Sequence, residues 1–343
     1  MVVLDWLSVN YHGIYNESKL FREKVLPFRV KMFKKVVELY HQGDLLCTLA
    51  MHPEKGVLNE KLIQLKVANK FLYSPGIFDL LKLIESTYDL KFIGFSRIDI
   101  AHDFNYFSGC LDPELFIKKV ANEKFIKKGL ANYKFIAKNR SRLVYEYMRI
   151  GSDKSDLVGY LYNKTSELDQ VKNKPYIRET WDRNALEVNK DVWRLEFSIK
   201  GNSWQIIDKI SGENLSHTTA MLKNTDLLIQ IYSYCVDRIF TFYYNENKIR
   251  KDRNEKVVLF NYFKNAILLE KWCELEDSTR GDRILINKLL STWDELRQVE
   301  KGTGMLYYNT AYSHAVKRDL LPYLIKKESK LNEILKTHEN IEN

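Results

Sequence analysis

The chain has 343 residues, 45% apolar and 29% charged, with 13% aromatic residues but only 14 Gly and 6 Pro. That composition excludes a disordered, linker-like or collagen-like polymer and is enough for a sizeable core. The net charge of +9 favours acidic partners. The longest run without Lys, Arg, Asp or Glu, 302–316, is partly polar and shorter than the roughly 20 apolar residues that span a bilayer, so no membrane partner is expected. Met1–Leu7 has no basic n-region and carries Asp5, so no secretory signal is expected. Cys47, Cys110, Cys235 and Cys273 are widely spread with no zinc-type spacing, which points to a reducing, cytoplasmic setting.

In chain order, Leu4–Tyr11 alternates as a strand. Ser18–Leu26 reads as a short helix stopped by Pro27. Lys31–Tyr40 and Leu45–Met51 flank His41-Gln42-Gly43-Asp44, a hairpin pattern. Leu62–Leu72 reads as a strand, Ile77–Tyr88 as a helix and Lys91–Phe104 as a long strand. Pro113, after Asp112, opens a helix expected to reach Lys127. Arg142–Ile150 and Leu157–Lys164 are strands joined by the turn at 151–156, and Val192–Lys200 is another strand. Ser216–Ile239 reads as helical, Thr241–Tyr244 and Lys256–Leu259 as extended, and Asp282–Glu300 and most of Tyr312–Lys336 as helical. Gly302-Thr303-Gly304 reads as a turn. The expected fold is therefore α+β: a mostly antiparallel sheet with flanking helices over 1–205, then a helix-rich domain over 206–343.

The charge excess has an address. Residues 1–200 hold 33 basic and 25 acidic side chains, net +8. Ten of those basic residues, Lys118, Lys119, Lys124, Lys127, Lys128, Lys134, Lys138, Arg140, Arg142 and Arg149, fall in 118–149 against only Glu123 and Glu146. Phe125, Tyr133, Phe135, Tyr145 and Tyr147 are interleaved with them. Cations for phosphates and flat rings for unpaired bases make this segment the candidate nucleic-acid surface. A second cluster, Lys248, Arg250, Lys251, Arg253 and Lys256, is diluted by acids and reads as a solvated loop.

Strand alternation supplies a candidate site. One face of the strand at 97–104 carries Arg97, Asp99 and Asp103; one face at 193–200 carries Arg194, Glu196 and Ser198. Tyr160, Tyr162 and Lys164 share a face of a third strand. Brought together, the carboxylates could hold a hard cation, Mg²⁺ or Mn²⁺, and a tyrosine hydroxyl could attack a phosphodiester. An ordinary polar sheet face with cross-strand ion pairs would carry the same residues. His102 falls on the apolar side, as a core histidine would. No phosphate-binding G-x-x-x-x-G-K-[ST] loop is present, which argues against an ATP-driven motor.

Four pieces in order resemble the Rep-trans family of rolling-circle replication initiators of plasmids, conjugative elements and phages. They are the opening strand Leu4-Asp5-Trp6-Leu7-Ser8-Val9, the R-x-D strand from Arg97 to Asp103, the G-S-x-x-S turn Gly151-Ser152-Asp153-Lys154-Ser155 leading into Leu161-Tyr162-Asn163-Lys164, and the W-R-x-E strand Trp193-Arg194-Leu195-Glu196. The resemblance covers about residues 4–200. It implies an endonuclease and strand transferase that nicks and rejoins one strand of origin DNA, at least partly single-stranded, through a 5′-phosphotyrosyl link. Tyr162 would be the nucleophile, with Tyr160 as replacement or second nucleophile. Asp99, Glu196 and, more weakly, Asp103 would be the metal ligands, and Arg97, Arg194 or Lys164 would add positive charge to the transition state. It also implies a host helicase and polymerase as partners, and leaves a homodimer open. A non-catalytic DNA-binding protein and an RNA-binding accessory protein are the alternatives.

Overall fold

We describe the chain from a computed structural model over residues 2–16, 20–27, 33–53, 61–127, 132–139, 143–152, 154–170, 174–200, 204–208, 215, 218–246, 254–261, 267–271, 278–296, 301–317 and 320–329. In chain order these hold β1 (Val2–His12), β2 (Arg22–Val25), β3 (Phe33–His41), β4 (Asp44–Pro53), β5 (Leu62–Val67), α1 (Asn69–Leu72), α2 (Ile77–Thr87), β6 (Lys91–Phe104), α3 (Pro113–Ala121), β7 (Phe125–Ile126) and β8 (Tyr133–Asn139). They continue with β9 (Leu143–Ile150), β10 (Leu157–Asn163), α4 (Lys164–Gln170), α5 (Pro175–Arg183), β11 (Trp193–Lys200), β12 (Trp204–Asp208), α6 (Thr225–Ile239), β13 (Tyr243–Tyr244), β14 (Ile267–Lys271), α7 (Ser278–Leu296) and α8 (Lys301–Lys317).

The fold is α+β. Among the described residues, ten strands form one antiparallel sheet in the order β2-β3-β4-β5-β1-β6-β11-β10-β9-β8. The β3–β4 hairpin turns at Gln42 and Gly43, both at positive φ (50° and 89°), as a two-residue hairpin with right-handed twist requires. The expected helix at 18–26 is instead edge strand β2, whose Val25 pairs with Val37; sheet pairing overrides a four-residue local pattern. The strand expected over 62–72 ends at Val67, and Asn69–Leu72 turns into α1. The helix expected to reach Lys127 ends at Ala121, before β7.

The face of the sheet bearing Leu7, Val9, Ile98, Ile100, Leu195, Phe197 and Leu161 is apolar and is covered by α2, α3 and α6 through Leu81, Ile84, Phe116, Ile117, Ile231 and Tyr232. Each of those contributes the one apolar stripe that an amphipathic helix buries. On the opposite face, among the described residues, α1, α4 and α5 cover one end through a smaller cluster of Leu168, Ile177, Trp181 and Val192 with Tyr73 and Tyr176. His102 belongs to the apolar layer, against Phe104, Tyr232 and Phe260.

The first compact unit comprises residues 1–53 and 61–271. It therefore runs past the boundary expected at 205/206, because α6 supplies part of the core under the sheet. The second unit comprises 54–60 and 272–343. Its α7 and α8, with a further helix at 321–329, bury Ile286, Leu290, Trp293, Ala311, Ala315, Leu320 and Leu324 together. Gly302-Thr303-Gly304, expected as a turn, lies in α8. Among the described residues no helix is long and apolar enough to cross a membrane.

Gly159, in mid-strand β10, marks a close approach of a helix. A Cβ there would stand 3.2 Å from Ile239 Cδ1 and 3.2 Å from the Phe197 ring. Gly159→Leu is expected to push α6 away and lower stability by about 1–3 kcal/mol, read as a lower urea midpoint with unchanged slope.

Candidate active site

The site begins with an irregularity in β1. Its pairing to β6 steps from Leu4–Ile100 to Trp6–Asp99, leaving Asp5 without a cross-strand partner on β6. Such a bulge re-aims a side chain. Asp5 Oδ1 accepts from Arg194 Nη1 at 2.7 Å and from the Tyr73 hydroxyl at 2.5 Å. Asn69 donates to the Asp5 carbonyl at 2.6 Å, and Tyr176 donates to Asn69 at 2.7 Å. A small cover of α1 and α5 is thereby tied to the first strand.

Arg194 has no exposed surface. Its Nε and Nη2 donate to Asp103 at 2.6 and 2.7 Å, a two-point match of guanidinium to carboxylate, and Trp181 Nε1 donates to Asp103 Oδ2 at 2.7 Å. Burial alone would raise the Asp103 and Asp5 carboxyls. Burial is the largest single influence, but Arg194 together with the Trp181 bond and Lys164 at Asp103, and with Lys164, Tyr73 and Asn69 at Asp5, holds both below their usual range. Two expectations are corrected here. Asp103 is not placed as a metal ligand, because both its oxygens are occupied by Arg194 and Trp181. Arg194 is not placed to meet a phosphate, because all three of its nitrogens are engaged by Asp103, Asp5 and Tyr73.

The other residues of the expected site do converge. Tyr162 stands opposite Arg194 in the ladder, and Tyr160 opposite Glu196. The Tyr162 hydroxyl donates to Glu196 Oε2 at 2.9 Å, and Lys164 Nζ donates to the same hydroxyl at 3.4 Å. Lys164 is 2% exposed and pairs with Glu167 at 2.5 Å. Asn163 sets this geometry: its Oδ1 accepts from Ser166 N at 2.8 Å, capping α4, and its Nδ2 donates to Asp191 at 2.9 Å. The strand therefore gives way to α4 at Lys164, two residues after Tyr162. Tyr160 makes no hydrogen bond to a described residue; its ring lies 6.4 Å from that of Tyr147.

On β6, Arg97 holds Asp99 through two bonds, Nε to Oδ1 at 2.8 Å and Nη2 to Oδ2 at 2.5 Å. Asp99 is 3% and Arg97 33% exposed, so the pair sits at the margin of the uncovered part of the face. Glu196 is pushed up to about 7, by burial first and then by the charges of Asp5 and Asp99. Tyr162 is raised well above 10 by burial and by Glu196, and Lys164 is lowered by burial and by Arg194. A carboxyl that resists ionisation, a phenol that resists ionisation and an ammonium weakened by burial thus share one hydroxyl.

Among the described residues no three His, Cys, Asp or Glu side chains gather as a metal-binding group. Both Asp99 oxygens are held by Arg97, as those of Asp103 are by Arg194. Arg97, however, is 33% exposed and Arg194 is fully enclosed, so a hard divalent ion completed by water and phosphate oxygens could replace Arg97 at Asp99 and share Glu196 with it. The charge crowding that raises Glu196 is what such an ion would relieve.

The basic segment is divided. Lys118, Lys119 and Lys124 lie on or just after α3, and Lys127 follows β7 beside Arg238, all in the helical layer on the apolar side of the sheet. Lys134 and Arg149 stand opposite each other on β8 and β9, and Arg149 stands opposite Tyr160, on the face that carries Tyr162 and Glu196. Lys138 pairs with Glu146 at 2.5 Å. Lys128, Arg140 and Arg142, like Lys248, Arg250, Lys251 and Arg253, fall outside the described residues. Instead of one continuous surface, the segment winds through both sides of the sheet. The G-S-x-x-S turn is a β9–β10 connector, closed by Ser152 and Ser155 bonding each other, at the far end of β10 from Tyr162.

Sequence reading missed Asp5, Asn69, Tyr73, Tyr176 and Trp181. Only Asp5, a carboxylate on an otherwise apolar-alternating strand, carried a local signal.

No family model matches the chain, and no curated protein matches it. Among solved structures, the chain is similar to a rolling circle replication initiator protein from Geobacillus stearothermophilus, at 12% identity and a TM-score of 0.45, over 75% of this chain and 93% of that chain. Likeness at that level leaves function to be argued from the residues themselves.

Two outcomes are expected from the site. Arg194→Met leaves two buried carboxylates without their partner and should destabilise by about 3–5 kcal/mol, measured by urea unfolding. Glu196 is raised above the value of 4.5 for an unperturbed Glu. Its contribution to stability is therefore complete below about pH 4.5 and is lost as pH rises through about 7. In EDTA, Glu196→Gln should melt progressively higher than the wild type across that window. Equal melting at pH 8 would mean the carboxylate is not under the strain described.

Proposed function

We propose that the chain is a replication initiator that nicks and rejoins a DNA strand through Tyr162. The observation that carries the reading is one hydroxyl, Tyr162 Oη, held between the Glu196 carboxylate at 2.9 Å and the Lys164 ammonium at 3.4 Å. Asp99 and Arg97 stand on the adjoining part of the same face. A phenol is a poor nucleophile until its proton has a destination, and a positioned carboxylate supplies one. The order of the R-x-D, Y-N-K and W-R-x-E strands supports the same reading, since the fold sets all three side by side as β6, β10 and β11.

In the proposed reaction, the Tyr162 oxygen attacks the scissile phosphorus while its proton passes to Glu196. The new P–O bond gives a 5′-phosphotyrosyl link, and the departing O3′ takes a proton from solvent. Lys164 steadies the oxygen as it loses its proton, and Arg97 adds positive charge beside the phosphate. Asp99 and Glu196 would hold Mg²⁺ or Mn²⁺, which when bound supplies Lewis-acid polarisation of a phosphate oxygen. Attack by the freed 3′-hydroxyl on the phosphotyrosine reverses the step and rejoins the strand. Origin DNA, a host helicase and a polymerase complete the proposed setting.

The test is covalent capture. Incubated with a random single-stranded oligonucleotide pool and Mn²⁺, the wild type should yield a protein–DNA adduct on denaturing gels. Tyr162→Phe should abolish it while retaining DNA binding. An adduct that persists in Tyr162→Phe but vanishes in Tyr160→Phe would move the nucleophile by two residues; no adduct under any condition favours a non-catalytic DNA-binding protein. A second test concerns the DNA path. Neutralising Lys134 and Arg149 should flatten the log affinity against log salt slope by up to about 1.4, at ~0.7 per phosphate contact on single strands. Neutralising Lys118, Lys119 and Lys124, on the other side of the sheet, should change it less.

A further inference from the structure

The uncovered part of the catalytic face continues past Asp99 onto β1 and β5, where neither the motifs nor the basic segment points. Trp6 on β1 pairs in register with Asp99 and is half-buried. Two cations stand over its ring: Lys66 Nζ at 3.9 Å and Arg97 Cζ at 4.3 Å from the centroid. Lys66 is exposed on β5. The Trp6 indole Nε1 is buried and makes no hydrogen bond to a described residue, and the same holds for Oγ of Ser198, the partner of Asp99 on its other side. The ring is therefore held by the two cations and by packing, without a bond that fixes its angle.

We propose that Trp6, between Lys66 and Arg97, is the stacking subsite for one base of the bound single-stranded DNA, on the β1 side of the scissile phosphate. The inference rests on the strand-nicking reading and extends it to where the strand lies. Trp6 and Tyr160 stand three strand spacings apart, about 14 Å across the sheet and two residues along it, with Asp99 and Glu196 on the strands between them. A strand crossing the sheet there meets an aromatic ring on each side of the two carboxylates. A base stacks on an aromatic ring more strongly than an exposed ammonium rests over it. An incoming base thus displaces Lys66 from the ring and leaves its ammonium beside the neighbouring phosphate. The chemistry of the subsite selects this occupant: a flat ring flanked by the cationic side chains of Lys66 and Arg97 suits a base next to its phosphate.

The experiment measures binding alone, in a Tyr162→Phe background with EDTA, by fluorescence anisotropy. The probes are labelled oligo(dT) of about 12 nucleotides and an abasic strand of equal length. Trp6→Ala should weaken oligo(dT) binding by about tenfold and leave the abasic strand within about twofold, because only the first strand has bases to stack. Lys66→Ala should weaken both strands and flatten the salt slope by about 0.7. Equal loss on both strands for Trp6→Ala, or no loss on oligo(dT), overturns the proposal. If Trp6→Ala does not fold by circular dichroism, Lys66→Glu decides: at an exposed position it should keep the fold and weaken both strands at least about tenfold, and unchanged affinity overturns the proposal. Adduct formation by the wild type is scored separately. An absent adduct with the Trp6 effect intact removes the tyrosine chemistry and keeps the subsite; an adduct with no Trp6 effect removes the subsite and keeps the chemistry.

Discussion

A guanidinium with no exposed surface must find its counter-charges inside the protein, and Arg194 finds two. Asp103 lies beside it on the neighbouring strand, and Asp5 reaches it from a bulge one strand further on. Breaking such a set is expensive because every charge left behind remains desolvated. Its three carriers, on β1, β6 and β11, are consequently locked in one register. The same oxygens also receive Trp181 from α5 and Tyr73 from beyond α1. The polar end of the sheet is closed by that network, and the Asp99, Glu196 and Tyr162 side chains lie next to it on the same face.

The chemistry of the neighbouring hydroxyl follows from this closure. Lys164 sits in the first turn of α4 under the same cover, close enough to Arg194 for each to oppose the other's charge. Glu196, half-buried and near Asp5 and Asp99, resists ionisation. Tyr162 lies between an acid that prefers its proton and a base weakened by burial. Such an arrangement suits the proton transfer and the divalent ion proposed for it. Asn163, by ending β10 and capping α4, converts a strand into this arrangement within two residues.

The alternation of β6, β10 and β11 was legible residue by residue, and the fold places those three strands side by side. Helix α2 and the β3–β4 hairpin were equally plain, because an amphipathic stripe and a Gln-Gly turn are local signals. Strand β2 was not, since four residues carry too little pattern to outweigh the partner strand that selects their conformation. The division of residues 118–149 between two sides of the sheet was hidden for a related reason: charge is countable along a chain, but the side on which it emerges depends on where α3 ends and β8 begins.

By itself the sequence determined which residues could be chemical: the carboxylates, the tyrosines and the lysine, each placed on a face by a period of two. Which carboxylates are available was decided only by tertiary structure. Asp99 and Asp103 share a face of one strand and differ by four residues, yet one meets Arg97 at the margin of the open face while the other is enclosed with Arg194 and Trp181. That difference comes from Asp5, Tyr73 and Trp181, which approach from positions far away in the chain. Strand periodicity specifies direction, whereas ion pairing and burial depend on what the rest of the fold brings into reach.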